Sequence, residues 1–380
     1  MKFSVNTTAL AGLPGLLERR RDNLLAGAVF VDANTTITAW DQGLINQIRG
    51  THERIVAEVT QFLRAAAEQR ADPYADAVAR AVAYYERTDI EAAARLDATM
   101  AAGRVQDGYP GLPQPQADAG LDATAFADSD CGPGYVAPHD YRFDYEVPTG
   151  GLDLLSPTSY ARALVWEVTG FLAEYRLLDH PVDIMQEYLD KFAGDWATFR
   201  ACADVWDSVA NELDYVTRSL YFGESRTALV WTGEAAGRCE YALDVFGDDL
   251  HAAAGTLRAA AANYREVAEQ MKKLTEAIIA AVTIICDYCA DELANGLAPG
   301  VGEVLAAENL IVDARRLLLA INKAKSIVVG AVEAVDGFIA GTGADWPFGV
   351  LGNLGPLRLT PVAMPHLPGV ATGARTLVAR

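Results

Sequence analysis

The sequence predicts an all-α protein, an elongated antiparallel helical bundle, and three observations carry the prediction. Apolar residues recur in steps of four and three through Met185, Leu189, Phe192, Trp196, Phe199, Ala203, Trp206, Ala210 and Leu213, the signature of a coiled-coil-like seam. The alternation resumes through Cys239, Leu243, Phe246, Leu250, Ala253, Leu257, Ala260, Tyr264, Val267, Met271, Leu274, Ile278, Ala281 and Ile285. No segment reads convincingly as a strand. Between the two seams stands Trp231-Thr232-Gly233, a tight helix-to-helix turn: Gly233 supplies the backbone freedom a reversal needs, and the Trp231 indole can plug the gap where helix ends separate.

Taken in order, Leu10, Leu13, Leu16, Leu17, Leu24 and Leu25 predict a short amphipathic helix from Thr7 to Ala28, and Asp32 to Thr36 reads as a loop. Leu44, Ile48, Ile55, Val59, Phe62 and Ala66 predict a second helix to about Arg70. Asp72-Pro73 then stops it and starts a third, Asp as N-cap and Pro in the first turn, running to about Asp97, so that residues 41–98 form an αα-hairpin. From Ala101 to Pro157 periodicity gives way to Gly, Pro, Asp and Tyr, which reads as an interdomain linker or an extended strap tacked down by its tyrosines. Tyr160 to Leu178 is helical, Pro181 is a break, and the first seam helix is expected to end near Gly223. An unbroken helix from Gly233 to Leu293 would be about 90 Å long at 1.5 Å per residue, a rod that needs partners along its length. After Leu297-Ala298-Pro299-Gly300, an apolar helix from about Glu303 to Ala340 is expected to fold back on it, and the tail from Gly341 is expected to be irregular. The predicted layout is therefore a hairpin domain over 1–100, a linker over 101–157, a long-helix domain over 158–341 and a tail over 342–380.

Composition narrows the function classes. With 51 Asp and Glu against 31 Lys and Arg, the net charge of −20 repels phosphate backbones and anionic membrane surfaces, which argues against nucleic-acid binding. The longest dense apolar run, Ala277 to Cys286, falls short of the roughly 20 residues a spanning helix requires, so no stable membrane anchor is expected. The basic cluster Arg19-Arg20-Arg21 follows rather than precedes the apolar part of the first residues, so a general secretory signal is not expected either. Five cysteines, Cys131, Cys202, Cys239, Cys286 and Cys289, do not resemble a disulfide framework.

Catalytic and metal constellations are lacking. Cys286-Asp287-Tyr288-Cys289 has no second ligand pair and no strand-to-helix junction around it, and is read as ordinary cysteines of a helical core. His52, His139, His180, His251 and His366 are scattered, and Asp128-Ser129-Asp130-Cys131-Gly132 lacks the bidentate Glu of a calcium loop. The expectation is a non-enzymatic chain without cofactor or metal. Two features stand out. Trp231 sits at a turn, either capping the core or presented as a recognition handle. Tyr85 and Asp89 lie at i and i+4 on one helix face, by themselves worth a few tenths of a kcal/mol.

Together these motifs resemble the export signals of type VII (ESX) secretion substrates of actinobacteria, which carry a Trp-x-Gly turn in one helical hairpin and a Tyr-x-x-x-Asp/Glu at the end of another. Trp231-x-Gly233 matches the first and Tyr85-x-x-x-Asp89 the second, and YERTDIEAAARLD and WTGEAAGRCEYALD are also similar to that family. A PE-like hairpin, a linker and a PPE/WXG-like long-helix domain in one chain is the layout of the EspB-type members. The resemblance covers about residues 40–98 and 160–295; the long linker, the unusually apolar 303–340 segment and the tail depart from it. It implies an exported, secreted or surface-released protein. It also implies that Tyr85, Asp89, Trp231 and Gly233 lie close together at one tip as a composite signal, read by the secretion ATPase or a dedicated chaperone. Ring assembly into a homo-oligomer is implied by resemblance alone. Three other readings stand beside it: a targeting module of a polymorphic toxin system, a membrane-active helical protein, and an enzyme with a site assembled from scattered Asp, Glu and His.

Overall fold

A computed structural model describes residues 3–37, 44–88, 90–99, 120–128, 132–141 and 195–294, with residues 319, 326, 329, 333, 357, 359 and 360; of 44, 90, 274, 275 and 277–294 it describes the backbone only. The expected helix at 160–178, the seam residues Met185, Leu189 and Phe192, all but four residues of the expected 303–340 helix, most of the tail, and the side chains of Cys286 and Cys289 lie outside the described residues.

The described part is all-α apart from one two-residue strand pair. Strand β1 (Ser4–Val5) leads into α1 (Thr7–Leu10), whose first turn is capped by the Asn6 side chain accepting from the Ala9 amide at 3.1 Å. Helix α2 (Gly12–Asn34) follows, with Pro14 in its first turn where no amide hydrogen bond is lost. It runs six residues beyond the expected Ala28 because Leu24, Ala28 and Val31 continue the buried stripe.

The next stretch corrects the expected hairpin. Helix α3 (Leu44–Ala66) passes through a π-helical turn (Ala67–Ala71) straight into α4 (Asp72–Arg87), with no reversal at Asp72-Pro73. Proline within a helix has no N–H and its ring crowds the preceding turn. The widened turn, in which the Asp72 amide reaches back to the Ala67 carbonyl, accommodates Pro73 while the helix axis continues. The hairpin partner of α3 and α4 is instead α2. Asp32 accepts from Thr60 at 3.0 Å and from Arg64 at 3.0 Å, and Arg21 pairs with Asp72 at 2.8 Å, so residue number falls on one helix as it rises on the other. The short helix α5 (Ile90–Asp97) completes this half.

Helix α6 (Trp196–Val230) and helix α7 (Glu234–Ala294) form the second antiparallel pair. Asp195 caps α6 by accepting from the Thr198 amide at 2.9 Å. Across the pair, the Tyr221 hydroxyl donates to Asp248 at 2.6 Å, Arg258 bonds Asp214, Arg265 bonds Asp207, and Phe199 stacks on Tyr264 with centroids 4.4 Å apart. Helix α6 does not end near Gly223. That glycine is buried inside the helix where α2 approaches, and a Cβ there would make only ordinary contacts, 3.5 Å from Leu13 and 3.6 Å from Leu16, so it neither stops the helix nor is demanded by the packing.

The two pairs share one hydrophobic core. Helix α2 lies along α6, and α3 and α4 reach α7 through their side chains, His52 meeting Tyr264 and Tyr74 meeting Phe246 edge-on at 6.0 Å. His52 ties the far end. It is buried between α3 and α7, Nε2 lying 2.9 Å from the Thr35 carbonyl and Nδ1 2.8 Å from the Tyr264 hydroxyl. A carbonyl only accepts, so Nε2 carries the proton and Nδ1 accepts from Tyr264. Burial lowers the imidazole pKa to about 4, the hydrogen bond to Thr35 opposing part of the shift. Cys202 and Cys239 are buried free thiols, and burial pushes the Cys202 thiol up to about 12. From the tail, Leu357 enters the core and Thr360 bonds Asp249 through its amide and hydroxyl, each at 2.6 Å.

Candidate functional site

The site is built where α6 hands the chain to α7. Helix α6 stops at Val230, Trp231 takes an extended conformation (φ −144°, ψ 129°), and Trp231–Thr232 form strand β2. This strand pairs antiparallel with β1, Ser4 opposite Thr232 and Val5 opposite Trp231. The Asn6 amide donates to the Val230 carbonyl at 2.7 Å and the Ser4 amide to Thr232 Oγ1 at 2.9 Å. Carbonyls at a helix end need outside partners. Residues 4–6 supply backbone partners here, a role that two residues of strand are too short to announce in a sequence.

Gly233 follows with φ +133°, a region that L side chains rarely adopt. A Cβ at this position would also lie 2.5 Å from Asp97 Oδ2. Gly233 is therefore required twice over, for its conformation and for the close approach of Asp97. The residue just before α7 thus has no side chain with which to cap it. Asp97, at the end of α5, provides the cap from the other half of the molecule: its carboxylate accepts from the Glu234 amide at 2.8 Å and the Ala235 amide at 2.9 Å. Two otherwise unpaired amides are satisfied and a negative charge sits at the positive end of a long helix. Asp97 is itself buried.

Tyr85, on the last turns of α4, meets Trp231 edge-to-face, ring centroids 5.7 Å apart at 70°. Phe3 tilts against the other side of Tyr85 at 5.5 Å and Tyr84 lies at 5.6 Å. Trp231 is 2% exposed and Tyr85 6%. Neither Tyr85 Oη nor Trp231 Nε1 has a hydrogen-bond partner among the described residues. Burial, with the Asp97 charge adding to it, raises the Tyr85 phenol above its ordinary range, while the nearby indole N–H pulls the other way. The phenol stays neutral at any physiological pH.

Of the four residues singled out in the sequence, the structure thus brings Tyr85, Trp231 and Gly233 to one junction; Asp89 lies outside the described residues. Asp97 was missed as a functional candidate, as were Phe3 to Asn6. The available signal for Asp97 was negative: a long helix opening on Glu234 with glycine before it lacks a local capping side chain. The indole is enclosed, so what the junction offers outward is its rim. Thr232, Gly233 and Glu234 are half-buried, and Glu86 and Arg87 are exposed on the adjoining end of α4.

Carboxylates gather next to the turn on the facing surfaces of α6 and α7. Glu240 is half-buried, and burial, then the charge of Glu224, raises its pKa to about 7. Glu224 and Asp244 are raised for the same reasons, burial first and neighbouring carboxylates second. Among the described residues no helix is long and apolar enough to cross a membrane. Comparison of the chain with protein-family models, with curated proteins and with solved structures finds no match.

Proposed function

We propose that this chain is a non-enzymatic substrate of a type VII (ESX) secretion system, exported folded as an elongated antiparallel bundle of the EspB-like kind. Its PE-like half ends at Tyr85 and Asp89 and its PPE/WXG-like half is organised around Trp231 and Gly233. The observation that carries this reading is the contact of Tyr85 with Trp231, ring centroids 5.7 Å apart. Two motifs that are weak singly, and far apart in the chain, meet at one junction. Because both rings are enclosed, their role is to hold the junction in shape. A secretion ATPase or dedicated chaperone then reads the rim formed by Thr232, Gly233, Glu234 and the exposed end of α4.

The reading is tested by replacing Tyr85 or Trp231 with alanine in the native host and comparing culture supernatant with cell lysate. Export should fall at least about ten-fold while the intracellular protein persists; Tyr85→Phe, which removes only a hydroxyl without a partner among the described residues, should leave it unchanged. Undiminished secretion of both alanine variants at normal intracellular levels would refute the proposal. Assembly of copies into a ring belongs to the same reading, and light scattering that reports only monomer over a wide range of concentration and pH would remove that part of it.

A further inference from the structure

Residues 132–141 run without regular structure along the groove between α2 and α6. Gly132, Tyr135, Pro138 and Tyr141 are half-buried against the helices, while the residues between them are exposed. A contact at every third residue keeps one side of the segment on the helices, although Gly134 at φ +65° and a turn in which the Tyr141 amide donates to the His139 carbonyl at 3.1 Å interrupt its extended course. The groove holds the segment by a ladder of acceptors one helical turn apart on α6. Glu212 accepts from the Gly134 amide at 3.1 Å, Ser208 Oγ from the Val136 amide at 2.8 Å, and Asp204 from the His139 amide at 3.2 Å.

Two tyrosines anchor it. The Tyr135 hydroxyl donates to the Asn23 carbonyl at 2.8 Å, and its ring stacks on Phe30 at 5.1 Å. The pit it enters exists because Gly27 has no side chain: a Cβ there would lie 2.3 Å from the hydroxyl. Tyr141 donates to Asp204 at 3.0 Å and lies under the Arg200 guanidinium, 4.6 Å from its ring centroid. Specificity is built into both sides. Gly134 adopts φ +65°, and a Cβ on Gly132 would meet the Tyr215 ring at 2.6 Å. Glu212 is 1% exposed and is shared between the Gly134 amide and the Asn23 side chain, so the groove carries a buried carboxylate aimed at the peptide backbone.

We propose that the α2/α6 groove is a binding site for an extended tyrosine- and proline-containing peptide of the form Gly-Pro-Gly-Tyr-Val-x-Pro-x-x-Tyr, which the chain fills in cis with its own residues 132–141. The segment lies on the helices as a ligand would, with only the Tyr135 ring packing against the core. It contributes one face, none of its residues is fully buried, and its backbone is held by side-chain acceptors instead of by the helices' own ladders. The same groove therefore accepts the segment in trans once the cis copy is weakened.

The test uses the full chain and a fluorescently labelled synthetic peptide of residues 132–141. The variant Tyr135→Ala/Tyr141→Ala, its fold verified by circular dichroism, should bind the peptide at least about ten-fold more tightly than the wild-type chain, whose groove is filled. A peptide with both tyrosines replaced by alanine should not compete. Equal binding by the two chains, or no binding by the folded variant, would overturn the proposal. Hydrogen exchange on the wild-type chain decides the matter even if that variant does not fold. The amides of Gly134, Val136 and His139 should exchange on the order of 100-fold faster than those of Val209 and Leu213 in α6, through release of the segment alone. Exchange of both sets at one common rate would mean that the segment is inseparable from the fold.

Discussion

At the scale of single residues the junction rests on Gly233 and Asp97. Gly233→Ala would force a side chain into a conformation that disfavours it and against the Asp97 carboxylate, so the unfolding free energy is expected to fall by about 2–4 kcal/mol. Asp97→Ala leaves two amides of α7 uncapped and should lower stability by about 1–3 kcal/mol, with Asp97→Asn intermediate because one oxygen still accepts. Urea titration of the two variants checks both values; an unchanged midpoint for Asp97→Ala would show that the cap is dispensable. Tyr85→Phe is expected to stay within about 0.5 kcal/mol of the parent. The glycine was legible from its place in Trp-x-Gly. Its buried partner was not, since a cap supplied from a distant helix leaves no local pattern.

At the scale of elements, the seam helices were the most legible part because apolar residues at three- and four-residue steps must face a partner along their whole length. The turn into α7 fell where expected. Asp72-Pro73 misled because proline and aspartate open helices far more often than they sit behind a π-turn, and a widened turn has no composition of its own. Gly223 misled because a single glycine weakens a helix by only about 1 kcal/mol, which the packing of α6 on its neighbours outweighs. The contact of α3 with α7 at His52 makes a prediction about acid. His52 has its folded pKa depressed from 6.5 to about 4, so the unfolded chain takes up its proton first. Its contribution, present above about pH 6.5, is lost as pH falls towards 4, a loss of about 3 kcal/mol at 1.36 kcal/mol per unit. Glu240 acts in the opposite sense. With its folded pKa raised from 4.5 to about 7, its contribution is present below about pH 4.5 and lost as pH rises to 7. The two terms oppose each other between pH 4.5 and 6.5. Glu240→Gln should therefore raise stability at pH 7 and expose a steeper acid loss, and thermal melts from pH 4 to 7.5 measure it; a variant whose pH profile matches the parent would contradict the assignment.

At the scale of the whole molecule, the helical class was legible from periodicity, and the strap-like reading of the tyrosine-rich connection finds its counterpart in Tyr135 and Tyr141. What could not be read was which surfaces meet. The strand pair of residues 4–5 with 231–232, the polar ladder of α6 under 132–141, and the docking of Thr360 on Asp249 are all contacts between segments far apart in the chain, and none has a repeating spacing. Everything proposed for the junction depends on Tyr85 and Trp231 acting as one unit in solution. A double-mutant cycle with Tyr85→Leu and Trp231→Leu, each of which removes the ring contact, read by chemical denaturation, measures that dependence. The edge-to-face pair predicts a coupling energy of about 1 kcal/mol. Additivity of the two substitutions within about 0.3 kcal/mol would contradict it.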